Sequence, residues 1–112
     1  MIVAMKPTDA PLFDTAHLAR YTAGDPALRD ELLTLMCDQA RRCLAIMDRP
    51  SDPASWRAAC HTLKGAARGV GAFALANVCD EAEIQPQAAW AGARLAVAQA
   101  FRETELAFAD AD

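Results

Sequence analysis

His61-Thr62-Leu63-Lys64-Gly65 gathers a histidine, a lysine and a glycine within one short segment. On a helix, residues three and four apart share a face, so Lys64 and Gly65 flank His61 on one patch of surface. Neutral imidazole, with an unperturbed pKa of about 6.5, offers a ring nitrogen that acts as a nucleophile near neutral pH. The ammonium supplies a fixed positive charge, and the glycine leaves a notch where a side chain would otherwise stand. These are the parts needed to take up a phosphoryl group from a partner that comes very close.

A single histidine on a helix is in most chains an ordinary boundary residue. Three features set His61 apart. Its stripe, Arg57, His61, Lys64 and Arg68, runs one residue out of step with the apolar stripe Trp56, Cys60, Leu63 and Ala67. It therefore lies about 100° around the helix, at the edge of the solvent face. Arg57, Lys64 and Arg68 make that face cationic, with no acidic residue at the matching spacings to neutralise it. Gly65 costs about 1 kcal/mol relative to alanine in a helix interior. In so alanine-rich a chain that cost points to a close approach, by a partner or by a neighbouring helix, and both stay open. A cation 4 Å from a phosphoryl charge is worth about 1 kcal/mol in water and about 4 kcal/mol at an effective dielectric of 20. Lys64 is thus an assistant and His61 the essential group.

The other constellations carry less chemistry. His17, near Asp14 and Tyr21, reads as a solvated residue. Asp80, Glu81 and Glu83 read as a solvated helix face that could also aid partner choice. Cys60 and His61 are adjacent on a helix and point about 100° apart, which is wrong for a shared metal. No activated Ser or Cys with an oriented base is legible. Trp56 and Trp90 read as core anchors.

These residues must be positioned by helices. The chain has 112 residues, a hydrophobic fraction of 54% that is largely alanine, and a net charge of −4. That suits one all-α domain and, lacking a basic stripe with aromatics, excludes a nucleic-acid binder. Residues 1–11 read as a tail; its opening, Met1 to Pro7, is too short for a signal-peptide core and is cut off by Lys6 and Pro7. No run of about 18 apolar residues suggests a membrane span. Cys37, Cys43, Cys60 and Cys79 lack CxxC spacing and read as packed thiols, consistent with the cytoplasm.

A short helix is expected from Asp14 to Ala23, ended by Gly24. Asp25-Pro26 and Asp52-Pro53 each pair an N-cap with a proline at the first helical position, opening a second and a third helix. The second should end near Asp48 and bury Leu28, Leu32, Leu35, Gln39, Cys43 and Ile46, which recur at helical spacing. Gly69 is suited to a left-handed position ending the third. A fourth, from about Ala72 to Ile84, carries Phe73, Leu75, Ala76 and Cys79 and is stopped by Pro86. The last, from about Ala88 to Ala109, carries Trp90, Val97, Phe101, Thr104 and Phe108. Four amphipathic helices with short connections bury their faces most simply as an antiparallel bundle, here with a short additional N-terminal helix.

The run His61-Thr62-Leu63-Lys64-Gly65-Ala66-Ala67-Arg68-Gly69-Val70-Gly71-Ala72, continued by Leu75, Cys79 and Glu83, resembles the histidine-containing phosphotransfer (HPt) domain. The family pattern is H-x-L-K-G-[SA]-[SA]-x-x-x-G-A-x-x-L, followed by a small residue or Cys and then an acidic one. Gly24-Asp25-Pro26 at the start of the second helix is similar too. Two departures are mild: Gly69 stands where Asn is frequent, and Ala82, where Leu is common, could thin the core. A sensor-kinase phosphoacceptor helix fits less well. It would place an acidic residue and a proline where Thr62 and Ala66 stand, and no nucleotide-binding domain follows.

The resemblance implies an up-and-down four-helix bundle over residues 12–112, with its phosphoaccepting histidine exposed midway along a helix. His61 would be phosphorylated, with Nε2 suggested as the acceptor, and Lys64 would stabilise the phosphohistidine. Gly65 would admit the partner, and Arg68 could contact phosphate; Gly71 and Ala72 look structural. The expected protein is a free-standing, monomeric, cytoplasmic phosphocarrier without its own turnover in a bacterial multistep relay. Its partners would be response-regulator receiver domains and a hybrid sensor histidine kinase. No cofactor is expected in this chain, and the Mg²⁺ used in transfer would sit on the receiver, since no carboxylate cluster is evident around His61. A helical adaptor that binds without becoming phosphorylated is the alternative.

Overall fold

Three aspartates start three helices. The Asp14 carboxylate accepts from the His17 backbone N–H at 3.1 Å, and Asp25 accepts from Ala27 and Leu28 at 2.9 and 3.3 Å. Asp52 accepts from Ser55 at 2.7 Å. Each carboxylate satisfies N–H groups that a helix start leaves unpaired. In the computed structural model, residues 12–110 are described, and the expected tail at 1–11 lies outside them. The helices are α1 (Thr15–Thr22), α2 (Pro26–Asp48), α3 (Pro53–Gly69), α4 (Phe73–Glu83) and α5 (Trp90–Asp110), with a 3₁₀ turn at Gln87–Ala89 before the last. No strand occurs among the described residues.

Helices α2 to α5 form a closed ring, α2 packing on α3, α3 on α4, α4 on α5 and α5 back on α2, while α1 leans on α2. Inside the ring, Trp56, Cys60, Leu63 and Ala67 of α3 are fully buried, as are Leu75, Ala76 and Cys79 of α4 and Val97 of α5. The thiols pack as small hydrophobes. All four are free, and burial pushes the Cys60 thiol up to about 12.

Two indoles lie beside the end of α4. Trp56 stacks on Trp90 with ring centres 4.8 Å apart. The Trp56 indole N–H donates to the Ala82 carbonyl at 2.9 Å, and that of Trp90 donates to the Gln85 carbonyl at 3.1 Å.

The buried stripe of α2 differs from the sequence expectation. Leu33, Met36, Ala40, Cys43, Leu44 and Met47 are buried, whereas Leu28, Leu35 and Ile46 are exposed, and Leu32 and Gln39 are only partly covered. Both sets have helical spacing and share Cys43, so the spacing alone does not choose between them. Contact with α3 and α5 buries one stripe and leaves Leu28, Leu35 and Ile46 of its neighbour exposed.

The end of α3 also differs. Gly71, not Gly69, is left-handed, with φ +86°. Its N–H donates to the Arg68 carbonyl at 3.1 Å and the Ala72 N–H to the Ala67 carbonyl at 2.8 Å, the paired bonds of a Schellman motif. The Gly71 carbonyl accepts from the Asp14 N–H at 2.9 Å, tying α1 to this corner. A Cβ at Gly71 would sit 2.8 Å from the Asp14 carbonyl oxygen, whereas one at Gly69 would meet nothing within 4 Å. Gly71→Ala should therefore lower unfolding stability by about 1–3 kcal/mol. Gly69→Ala should leave it unchanged or slightly raised, a contrast that urea denaturation measures.

Candidate functional site

His61 lies near the middle of α3, turned outward by the burial of Cys60 and Leu63 on either side of it in sequence. Its side chain is 72% exposed. Gly65, one turn on, is exposed, and a Cβ built there would meet nothing within 4 Å. Packing by a neighbouring helix therefore does not account for this glycine. Beside His61 the surface holds a bare stretch of helix backbone with no internal occupant. Arg57 and Arg68 are exposed on the same side.

Lys64 is placed differently from expectation. Its ammonium lies 3.0 Å from Asp80 Oδ1 and 3.2 Å from Glu83 Oε1, both on α4. Only 11% of its side chain is exposed, because it lies down against α4. Glu83 reaches further, its Oε1 standing 3.5 Å from His61 Nδ1. One carboxylate thus faces both the imidazole and the ammonium. The reading of a cationic face without acidic partners is corrected: the partners come from the adjacent helix, not from α3. Asp80 and Glu83 are likewise not a merely solvated face.

The pairing shifts both titrations toward the charged forms. Hydrogen bonds to Asp80 and then Glu83 raise the Lys64 ammonium above its ordinary range, although burial opposes them. The Lys64 hydrogen bond, followed by its charge, lowers the Asp80 carboxyl, and Arg68 adds a smaller pull in the same direction. Among the described residues, no group of three or more His, Cys, Asp or Glu is gathered to hold a metal ion.

A long contact from Glu83 to Nδ1 has a chemical consequence. If Nδ1 carries the ring proton and points it at the carboxylate, Nε2 keeps its lone pair and faces outward. The arrangement can then deliver a nucleophilic nitrogen on an exposed surface, with an ammonium one turn away and open space beside it.

His17 is not the solvated residue it seemed in sequence. Its ring lies between Tyr21 and Phe73, with centres 5.3 and 5.2 Å away. Its Nε2 is buried and makes no hydrogen bond within the described residues. It serves the docking of α1 rather than the His61 surface.

Sequence reasoning missed the roles of Asp80 and Glu83, and also the exposed edge of α2. A signal for the first was present: His61 and Lys64 are three residues apart, and so are Asp80 and Glu83. For the second, Gln39, Cys43 and Ile46 of α2 line a shallow groove with Ser55, Ala58 and Thr62 of α3, one residue from His61.

No helix among the described residues is long and apolar enough to cross a membrane. A family model described as the Hpt domain matches residues 31–107, from the first turns of α2 to the last turn of α5. Domains of this family are phosphocarriers in two-component phosphorelays, working with receiver domains and kinases. No curated protein and no solved structure matches the chain. With that match spanning more than half its length and His61 standing exposed within it, the chain belongs to the Hpt domain family.

Proposed function

We propose that the protein carries a phosphoryl group between receiver-domain aspartates as a phosphohistidine at His61. The observation that carries this reading is an imidazole 72% exposed midway along α3, with Glu83 Oε1 3.5 Å from its Nδ1; with the ring proton on Nδ1, Nε2 is the nucleophile. In transfer, the Nε2 lone pair attacks phosphorus of an aspartyl phosphate. The P–O bond breaks, its electron pair stays on the receiver's carboxylate, and Nδ1 keeps its proton toward Glu83. Lys64 stabilises the added charge, and Arg68, exposed on the same side, is read as a contact for the phosphoryl group or the receiver. Onward transfer runs the same step in reverse.

The receiver docks over the groove between α2 and α3, where Ile46 is 46% exposed. It brings its own Mg²⁺, and the chain needs no cofactor and has no turnover of its own. His61 facing Glu83 and Lys64 facing Asp80 support antiparallel α3 and α4. Arg41 with Glu105 and Asp48 with Arg94 do the same for α2 and α5, and we read the ring as an up-and-down bundle. We read the protein as cytoplasmic and monomeric, fed by a hybrid sensor kinase. The adaptor alternative leaves the outward Nε2 without a use.

Gly65 supplies the test of docking-dependent transfer. Gly65→Ala should stabilise α3 by up to about 1 kcal/mol and slow transfer, and Gly65→Leu should nearly abolish it. In both variants the small reagent phosphoramidate should still phosphorylate His61. Transfer from a phosphorylated receiver at the wild-type rate in Gly65→Leu would refute the close-approach role.

A further inference from the structure

We propose that Asp80 is a positioning residue that holds the Lys64 ammonium back from the phosphoryl group and so keeps the phosphohistidine labile. This rests on His61 being the phosphoacceptor and concerns what sets the lifetime of its phosphorylated form.

An ammonium has three N–H donors. Two of those of Lys64 have acceptors on α4, Asp80 at 3.0 Å and Glu83 at 3.2 Å. Glu83 has a second duty toward His61 Nδ1. Asp80 has none there; its nearest strong interaction is the one with Lys64. A phosphoryl group on Nε2 carries more negative charge than a carboxylate and draws the same ammonium. Lys64 must then loosen one existing bond to serve it, and the bond to Asp80 is the one whose loss leaves the imidazole orientation intact. Arg68, on the following turn of α3, already attracts the Asp80 carboxylate. It can take over that charge when Lys64 swings toward the phosphoryl group.

The contest is fought near water, since the Asp80 side chain is 60% exposed. Its scale is therefore that of an exposed ion pair, a few-fold and not orders of magnitude. A few-fold change suits a carrier: a phosphohistidine gripped fully by Lys64 is slow to leave, and one with Lys64 partly withheld passes its load on.

The experiment uses the full chain phosphorylated at His61 with phosphoramidate, its decay at neutral pH followed by ³¹P NMR. Asp80→Asn should lengthen the phosphohistidine lifetime by about two- to fivefold, and Asp80→Glu should return it toward wild type. Lys64→Ala should shorten it and also remove the effect of Asp80→Asn, because Asp80 acts through Lys64. An unchanged lifetime in Asp80→Asn, or the same lengthening with and without Lys64, overturns the proposal. These lifetimes need no receiver. Should phosphorylated receivers fail to label His61, the carrier function falls while the lifetimes still decide the role of Asp80.

Discussion

His61→Gln should leave the fold intact and reduce labelling by a phosphorylated receiver to background. The side chain is 72% exposed, and Glu83 Oε1 stands 3.5 Å from its Nδ1. Replacing it therefore removes little packing, and unfolding stability should stay within about 0.5 kcal/mol of wild type. Glutamine keeps a polar group of similar reach, but its amide nitrogen has no free lone pair to attack phosphorus. His17 offers no second route, because its ring is wedged between Tyr21 and Phe73 with Nε2 covered. Circular dichroism during urea unfolding checks the fold, and base-stable, acid-labile radiolabel checks the chemistry.

Trp56→Ala should have the largest effect on stability. The indole is fully buried, stacks on Trp90 with the rings 9° from parallel, and donates to the Ala82 carbonyl. Truncation leaves a cavity between α3, α4 and the start of α5, and large aromatic-to-alanine changes in cores cost about 3–5 kcal/mol. A domain of this size has a total stability of only about 5–15 kcal/mol, so the variant should unfold at much lower urea. Trp56→Phe keeps most of the area and loses the hydrogen bond, which should cost less than the alanine change. A loss under about 1 kcal/mol for Trp56→Ala would mean that the buried, stacked indole is not an anchor of the core.

Local chemistry made much of this legible in sequence. Asp25-Pro26 and Asp52-Pro53 mark helix starts by a carboxylate that caps and a ring that needs no N–H, and both helices begin there. The stripe Trp56, Cys60, Leu63 and Ala67 was readable because its neighbouring stripe is charged, so only one face could be buried. In α2 the same reasoning failed, since Leu28, Leu35 and Ile46 compete with Leu33, Met36 and Met47, and tertiary contacts alone choose the winner.

At the site, His61, Lys64 and Gly65 lie within one turn and were legible together. The carboxylates of Asp80 and Glu83 reach them across a helix interface, a contact no local spacing within α3 could reveal. The freedom around Gly65 was beyond sequence, because it depends on what every other helix leaves vacant.

Locating the phosphoryl group itself is the most direct test of the carrier reading. The chain is incubated with an aspartyl-phosphorylated receiver, and the modified atom is identified by fragmentation mass spectrometry and ³¹P–¹⁵N coupling. A second, unphosphorylated receiver is then added. The phosphoryl group should be found on His61 Nε2 and should then leave for the second receiver's aspartate. Its appearance on another residue, or a His61 phosphate that no receiver can remove, would contradict the account.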